Sequence, residues 1–82
     1  MALYYFHLRD GVDVLLDPEG CELPNLAVAE VRALASARSI LSADALEGLL
    51  KLDMRIDVED STGAIVHSLE FQDAVVITPP DA

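Results

Sequence analysis

The stretch LYYFHLRDGVDVLL, residues 3–16, decides the fold because it has the pattern of a strand, a tight turn and a returning strand. Residues 3–9 are rich in aromatic and apolar side chains, which favour strands. Asp10-Gly11 follows at once, and Asp-Gly between apolar runs is a strong signal for a two-residue hairpin turn. Residues 12–16 then form the second strand. The sequence therefore predicts that the chain begins with a β-hairpin.

The predicted turn also fixes which side chains share a face of this hairpin. A two-residue loop at Asp10-Gly11 places six residues on one face, in the cross-strand pairs Arg9–Val12, His7–Val14 and Tyr5–Leu16. The opposite face receives the apolar residues Tyr4, Phe6, Leu8 and Leu15. A sheet with one wet face normally alternates more cleanly, so this hairpin carries more apolar surface than one covering layer can bury.

A helix is predicted after the turn-forming sequence DPEG at residues 17–20. Asn25 follows a proline and suits the N-cap position, which makes Leu26 the first helical residue. The apolar side chains that follow lie on one stripe: Leu26, Ala33, Leu34, Ala37, Ile40 and Leu41. Beyond Ser42 the sequence allows the helix either to continue or to restart, and Gly48 weakens any helix near it.

A second hairpin is predicted from the alternating residues 54–59, MRIDVE, and the returning residues 64–71. A four-residue loop gives the pairs Val58–Ile65, Ile56–His67 and Met54–Leu69 on one face. The other face carries the charges Arg55, Asp57, Glu59 and Glu70, as a solvated face or as an acidic docking surface. Residues 74–77, AVVI, either extend the last strand or form a short fifth one.

These elements predict an α+β fold of order ββαββ, with one helix packed on a four-stranded, mainly antiparallel sheet. Residues 1–78 are expected to form a single domain, since 82 residues make one core. Residues 79–82 are expected to form a C-terminal tail, because the two prolines cannot continue a strand ladder.

Composition narrows the classes of partner. The chain carries 15 acidic and 5 basic residues, a formal net charge of −10. This charge repels phosphate backbones and anionic lipid surfaces, so we expect no nucleic-acid or membrane partner, while a basic protein partner would fit. The single cysteine excludes an intramolecular disulfide, and the apolar runs are too short to span a bilayer. We expect a reducing, cytoplasmic location.

The two histidines are the residues closest to catalytic chemistry. A general base needs a nucleophile and an orienting carboxylate nearby, and the first hairpin forces neither against His7. His67 is predicted on the apolar face opposite Ile56, where a lone histidine is usually structural. We therefore predict no enzymatic activity, no catalytic residues, no cofactor and no metal site.

The motifs YYFHLRDG, DPEGCELPNLAVA, ALASARSIL and RIDVEDSTGAIVHSLEFQDAV together resemble a family of small bacterial proteins of unknown function. The resemblance spans nearly the whole chain, with Asn25 where the family usually has Asp. It implies no activity, cofactor or catalytic residue. The segment DPEGCELPNLAVAEVRALASA is loosely similar to HicB-type antitoxin domains, a likeness of motif and fold only.

Three functional hypotheses remain from the sequence. The leading one is a non-enzymatic protein-interaction module that forms a homodimer through one hairpin face, made of Tyr5, His7, Arg9, Val12, Val14 and Leu16. The second is an acidic, antitoxin-like inhibitor of a basic protein partner. The third is a binder of small ligands that uses His7, Arg9 and Tyr5.

Overall fold

The computed structural model describes residues 1–81, which form five strands, one α-helix and one short 3₁₀ turn. In chain order these are β1 (Ala2–Asp10), β2 (Asp13–Leu15), β3 (Cys21–Leu23), α1 (Leu26–Leu46), β4 (Met54–Asp60), β5 (Ile65–Glu70) and the 3₁₀ turn Phe71–Asp73. The predicted α+β class, one helix on an antiparallel sheet, is confirmed. The sheet has a fifth strand, β3, between the DPEG turn and the helix, where no strand was predicted.

The sheet is antiparallel throughout, with the strand order β2-β1-β4-β5. Strand β1 is nine residues long, so two short strands share one of its edges. β3 pairs with its beginning at Ala2–Tyr4, and β2 pairs with its end at Leu8–Asp10. β4 covers the other edge of β1 from Tyr4 to Asp10. Side chains of β1 and β4 therefore lie at the centre of the sheet.

The first hairpin exists, but its predicted register is wrong by two residues. Arg9 pairs with Val14, where the sequence predicted Val12, and the turn is Gly11-Val12. Gly11 has a φ of 62°, and within residues 1–81 no residue other than glycine has a positive φ. A turn with glycine at its first central position needs positive φ only there, so Asp10 stays in the strand. A shift of two residues keeps every side chain on its predicted face.

The second hairpin is also shifted by two residues, with Val58 opposite His67 and not opposite Ile65. Its loop has three residues, Ser61 to Gly63, and the Asp60 carboxylate accepts the backbone N–H groups of Thr62 and Ala64 at 2.9 and 3.1 Å. The predicted pairs Ile56–His67 and Met54–Leu69 are wrong for the same reason, and Ile56 faces Leu69. A bulge after Val58 then pairs Ile65 with Glu59 and moves Ile65 away from the helix side.

Helix α1 begins where the sequence predicts. The Asn25 side chain accepts the Val28 N–H at 3.0 Å, and the helix continues past Ser42 to Leu46. Its buried face consists of Ala29, Ala33, Ala37 and Leu41. Small side chains at three of these positions let the helix approach the sheet closely, over a core in which Val58 and Phe71 are fully buried.

Residues 74–77 form neither predicted strand arrangement. The 3₁₀ turn at Phe71–Asp73 redirects the chain beneath α1, where Arg38 Nε donates to the Ala74 carbonyl at 2.8 Å. Ala74 is buried in the core, and Val76 beyond it is exposed. The predicted tail at 79–82 includes Ala82, which lies outside the described residues.

Candidate functional site

The side of the sheet opposite α1, here called the open face, collects the polar side chains of three strands. It is formed by Tyr5, His7 and Arg9 from β1, Arg55, Asp57 and Glu59 from β4, and Ser68 and Glu70 from β5. Pairing of β1 with β4 places His7 opposite Asp57 and Arg9 opposite Arg55. Groups about fifty positions apart in the sequence therefore meet at the centre of the sheet.

Asp57 is the centre of this arrangement and is only 3% exposed. Arg9 Nε donates to its Oδ2, while Arg55 Nε and Ser68 Oγ donate to its Oδ1 at 3.1 and 2.7 Å. Burial on its own raises the pKa of Asp57, but hydrogen bonds from Ser68, Arg9 and Arg55 outweigh burial and hold that pKa below its usual value. The carboxylate is therefore ionised at neutral pH, with both oxygens hydrogen-bonded. We call Arg9, Arg55, Asp57 and Ser68 the Asp57 cluster.

The Asp57 cluster explains how two arginines can lie directly opposite each other on neighbouring strands. Like charges in such a pair repel and destabilise a sheet. Here each guanidinium donates to a different oxygen of the same buried carboxylate. Asp57 thus neutralises part of the repulsion between Arg9 and Arg55 and fixes the position of both side chains.

His7 is buried beside this cluster with both ring nitrogens bonded. Its Nδ1 accepts the backbone N–H of Asp17 at 3.1 Å, and its Nε2 lies 2.9 Å from Glu59 Oε1. A backbone N–H can only donate, so Nδ1 carries no proton and Nε2–H donates to Glu59. The Tyr5 ring stacks on the imidazole, with the ring centroids 6.2 Å apart. His7 therefore offers no unoccupied nitrogen for a substrate or a metal.

Asp17 completes the edge of β1 in the gap between β2 and β3. One carboxylate oxygen accepts the Phe6 N–H at 3.2 Å, and the other accepts the Glu19 and Gly20 N–H groups at 3.3 and 3.2 Å. Burial favours a higher pKa for Asp17, but the backbone hydrogen bonds from Gly20, Phe6 and Glu19 lower it. Its side chain thus replaces the backbone acceptor that a continuous strand would supply to Phe6.

Gly20 closes this turn at a position that tolerates no side chain. Its φ is +73°, and a Cβ added there would lie 2.9 Å from the Tyr4 carbonyl oxygen. Both the left-handed conformation and the close backbone approach require glycine. The segment DPEG therefore forms a turn and also packs against the edge of β1.

The structure separates the six residues predicted as an interaction face into two groups. Tyr5, His7 and Arg9 are held together by bonds within the chain. Val12, Val14 and Leu16 lie on or beside β2 and are exposed, at 101%, 42% and 61%. Leu15, on the other side of β2, is 70% exposed. We call Val12, Val14, Leu15 and Leu16 the hairpin edge.

Sequence reasoning did not identify the partners of Arg9 and His7. The sequence alone presents Asp57 and Glu59 as solvated charges or as part of a docking surface, because it does not give the order of the two hairpins in the sheet. Their spacing did contain a signal: Arg9 and His7 are two positions apart on one strand, as are Asp57 and Glu59 on the other. Such matched alternation favours pairing of the two strands. Nothing in the local sequence indicated the role of Asp17.

His67 lies on the helix side, as predicted, where its Nδ1 is 3.5 Å from Glu30 Oε1 of α1. It is separated from His7 by the thickness of the sheet. In the part of the chain that the structure describes, we find no cluster of three or more potential metal ligands and no cavity. The same residues include no helix long and apolar enough to cross a membrane.

Comparison with known proteins gives a family but no characterised relative. No curated protein and no solved structure matches the chain. The likeness to HicB-type antitoxin domains is not shown. A family model does match residues 3–72, which include all of β1 to β5 and α1 except Ala2. The chain therefore belongs to the family described as Domain of unknown function (DUF6894).

Proposed function

We propose that this protein is a non-enzymatic protein-interaction module that forms a homodimer through the hairpin edge. The observation that carries the proposal is the exposure of Val14, Leu15 and Leu16 on and beside β2. β2 is an edge strand, and its outer side has no strand partner within residues 1–81. An unpaired edge with apolar side chains on both faces is a template for pairing with another chain.

A second copy of the same chain fits this edge. Two β2 strands placed antiparallel about a twofold axis present the same surface to each other, as a dimer of this symmetry requires. If the pairing is centred on Val14, Asp13 of one copy lies opposite Leu15 of the second copy. No two carboxylates then face each other directly, and Val14 and Leu15 are covered on their respective faces.

The polar residues of the open face support interaction over catalysis. His7 has both ring nitrogens bonded, and Asp57 accepts three hydrogen bonds from neighbouring side chains. The hypothesis of a ligand binder using His7, Arg9 and Tyr5 is not favoured, because both nitrogens of His7 are bonded within the chain and the Tyr5 ring stacks on the imidazole.

The charge of the protein makes the strength of homodimerisation depend on salt concentration, which provides a test. Each copy carries a formal charge of −10, so two copies repel each other. Raising the salt concentration shortens the screening length from about 30 Å at 0.01 M to about 10 Å at 0.1 M. Homodimerisation should therefore strengthen as salt is added, whereas binding to a basic partner should weaken.

Sedimentation equilibrium over a range of protein and salt concentrations tests the homodimer. We expect a monomer–dimer equilibrium that shifts toward dimer with salt and is weakened at least about tenfold by Val14→Asp, which places a desolvated charge in the interface. Val76→Asp is the matched control, because Val76 is also exposed but lies after β5. A monomer at all concentrations, or equal effects of the two variants, would refute the homodimer.

The inhibitor of a basic partner is supported by a separate observation. All five basic side chains are engaged within the chain: Arg9 and Arg55 with Asp57, Lys51 with Asp10, Arg38 with the Ala74 carbonyl, and Arg32 with Cys21 Sγ. Ten acidic residues remain in excess over these five basic ones, 15 against 5. Co-purification from the native cell followed by a salt gradient tests this candidate, which requires a basic partner that dissociates as salt rises.

A further inference from the structure

We propose that Arg9 and Arg55 form a shallow carboxylate-binding site on the open face. The two residues are directly opposite each other on β1 and β4, and their side chains are 39% and 45% exposed. Both use Nε to hold Asp57. No hydrogen bond within residues 1–81 uses the terminal nitrogens of either guanidinium, so donors from both arginines remain available to an anion.

Asp57 and Ser68 give this pair a fixed geometry. Asp57 is buried and holds each arginine through a separate oxygen, and Ser68 Oγ donates to Asp57 at 2.7 Å. A guanidinium that is already oriented loses little conformational freedom when it binds. Planar guanidinium donors match the two oxygens of a carboxylate, and such bonds are among the stronger hydrogen bonds in proteins.

The Asp57 cluster itself carries a positive charge, although Glu59 and Glu70 lie on the same face and the protein as a whole is acidic. Two guanidinium groups and one carboxylate leave a single net positive charge on the Asp57 cluster. Glu70 lies opposite Arg55 on β5, and it is in no ion pair among residues 1–81. The open face has three carboxylates against two guanidinium groups, and the whole chain carries −10, so the summed electrostatic interaction is repulsive and about twice as large for a dianion as for a monoanion. The site therefore favours a monocarboxylate over phosphate.

The neighbours of the arginines indicate what the rest of the ligand is. Val14 is the register partner of Arg9 on β2, and it is half-exposed. An anion held by Arg9 and Arg55 would extend its other end over this apolar side chain, away from Glu70. The inferred ligand is therefore an aliphatic carboxylate, supplied by a small acid or by the C-terminal residue of a peptide.

Titration of the full ¹⁵N-labelled chain, followed by NMR, tests the site. The probe is 4-methylpentanoate, with 4-methylpentanamide as the uncharged control and inorganic phosphate as the dianionic arm. A peptide ending in leucine, with a free or an amidated C-terminus, separates the two sources of carboxylate. We expect saturable shifts of the Arg9 and Arg55 Nε–H signals with the carboxylates, weaker binding of phosphate, and no specific shifts with the amides.

Substitutions of single arginines test whether Arg9 and Arg55 form the carboxylate-binding site. Arg55→Gln should weaken 4-methylpentanoate binding at least about tenfold, because it removes one of the two guanidinium partners. Arg32→Gln is the matched control, since Arg32 lies on α1, bonded to Cys21 Sγ. If Arg55→Gln does not fold, Arg55→Lys replaces it, which keeps the charge but loses the planar donors.

Non-saturable shifts, equal shifts with acid and amide, equal effects of Arg55→Gln and Arg32→Gln, or phosphate binding as tightly as the carboxylate would each overturn the proposal. The site belongs to the monomer, because the proposed pairing of β2 edges leaves Arg9 and Arg55 accessible but covers Val14, over which the ligand would extend. The titration is run at the lowest protein concentration that NMR allows.

Discussion

The Asp57 cluster and the hairpin edge lie side by side on the sheet and differ in nearly every respect. The cluster consists of charged and polar groups, yet Asp57 is 3% exposed and all its hydrogen bonds are made within the chain. The hairpin edge consists of ordinary apolar residues, yet Val12 is wholly exposed and Leu15 is 70% exposed. The charged and polar side chains, which suggest chemistry, have their hydrogen-bond partners within the chain. The apolar side chains, which suggest a core, remain exposed to solvent.

This contrast shows that residue type alone does not identify a binding surface. What matters more is whether the side chains already have partners within the chain. A histidine whose two nitrogens are bonded to Asp17 and Glu59 stabilises the sheet. An exposed leucine on an unpaired strand supplies the apolar area that association requires. If the contrast is correct, substitutions in the Asp57 cluster destabilise the monomer and substitutions in the hairpin edge do not.

The largest effect is expected from Asp57→Ala. The substitution removes three hydrogen bonds and leaves Arg9 and Arg55 opposite each other without a counter-charge. We expect the free energy of unfolding to fall by about 3 kcal/mol, measured by urea denaturation. Glu70→Ala, also on the open face but outside the cluster, is the control. A loss below about 1 kcal/mol would mean that the cluster does not stabilise the fold.

Gly20→Ala should follow, at about 2 kcal/mol, because it combines a positive φ with a clash against the Tyr4 carbonyl oxygen. Gly11→Ala has a similar φ of +62° but no atom within 4 Å, so we expect about 1 kcal/mol there. Thermal unfolding of the two variants side by side measures the difference. Equal losses would show that the turn at residues 17–20 does not pack against β1 as described.

Local sequence signals predicted the elements of this fold better than the pairings between them. The Asp-Gly turn, the Asn25 cap and the alternation of residues 54–59 report local preferences, and both hairpins and the helix start follow from them. The first register failed by two residues because the backbone of Gly11 sets the turn. The second failed by one residue at the loop that Asp60 holds and by one more at the bulge after Val58, and none of these features is visible in apolar alternation. The pairing of β1 with β4 is non-local, so His7 and Arg9 were left without partners.

Acidification should destabilise the protein through two hydrogen-bonded carboxylates, the buried Asp57 and the partly buried Asp17. The pKa values of Asp57 and Asp17 are lower in the folded chain than the ordinary 3.8, so their stabilisation is complete well above that value. It is lost as pH falls through their folded pKa values, below 3.8. The loss should be smaller than for Asp57→Ala, because a protonated carboxyl still accepts hydrogen bonds. Urea denaturation from pH 7 to pH 3 measures it, and Asp57→Asn should flatten the decline.

The smallest effect on the unfolding free energy is expected from Val14→Thr, and it should appear only at protein concentrations where the homodimer forms. Thr keeps the β-branched shape that suits a strand, and Val14 is already 42% exposed, so the unfolding free energy of the dilute protein should change by less than about 0.5 kcal/mol. At concentrations where the homodimer forms, association adds to stability in the parent chain and less in the variant. The two unfolding curves should therefore coincide at low concentration and separate at high concentration.

If the difference in unfolding free energy between the parent chain and Val14→Thr is the same at every protein concentration, Val14 stabilises the monomer. The proposed contrast between the Asp57 cluster and the hairpin edge is then wrong. If the two unfolding curves coincide at every concentration, the edge contributes to neither state and the homodimer loses its basis. A difference between the two unfolding curves that grows with protein concentration is expected only if two conditions hold. The monomer must be stable without contacts made by the hairpin edge, and the hairpin edge must contribute to stability only when two copies associate.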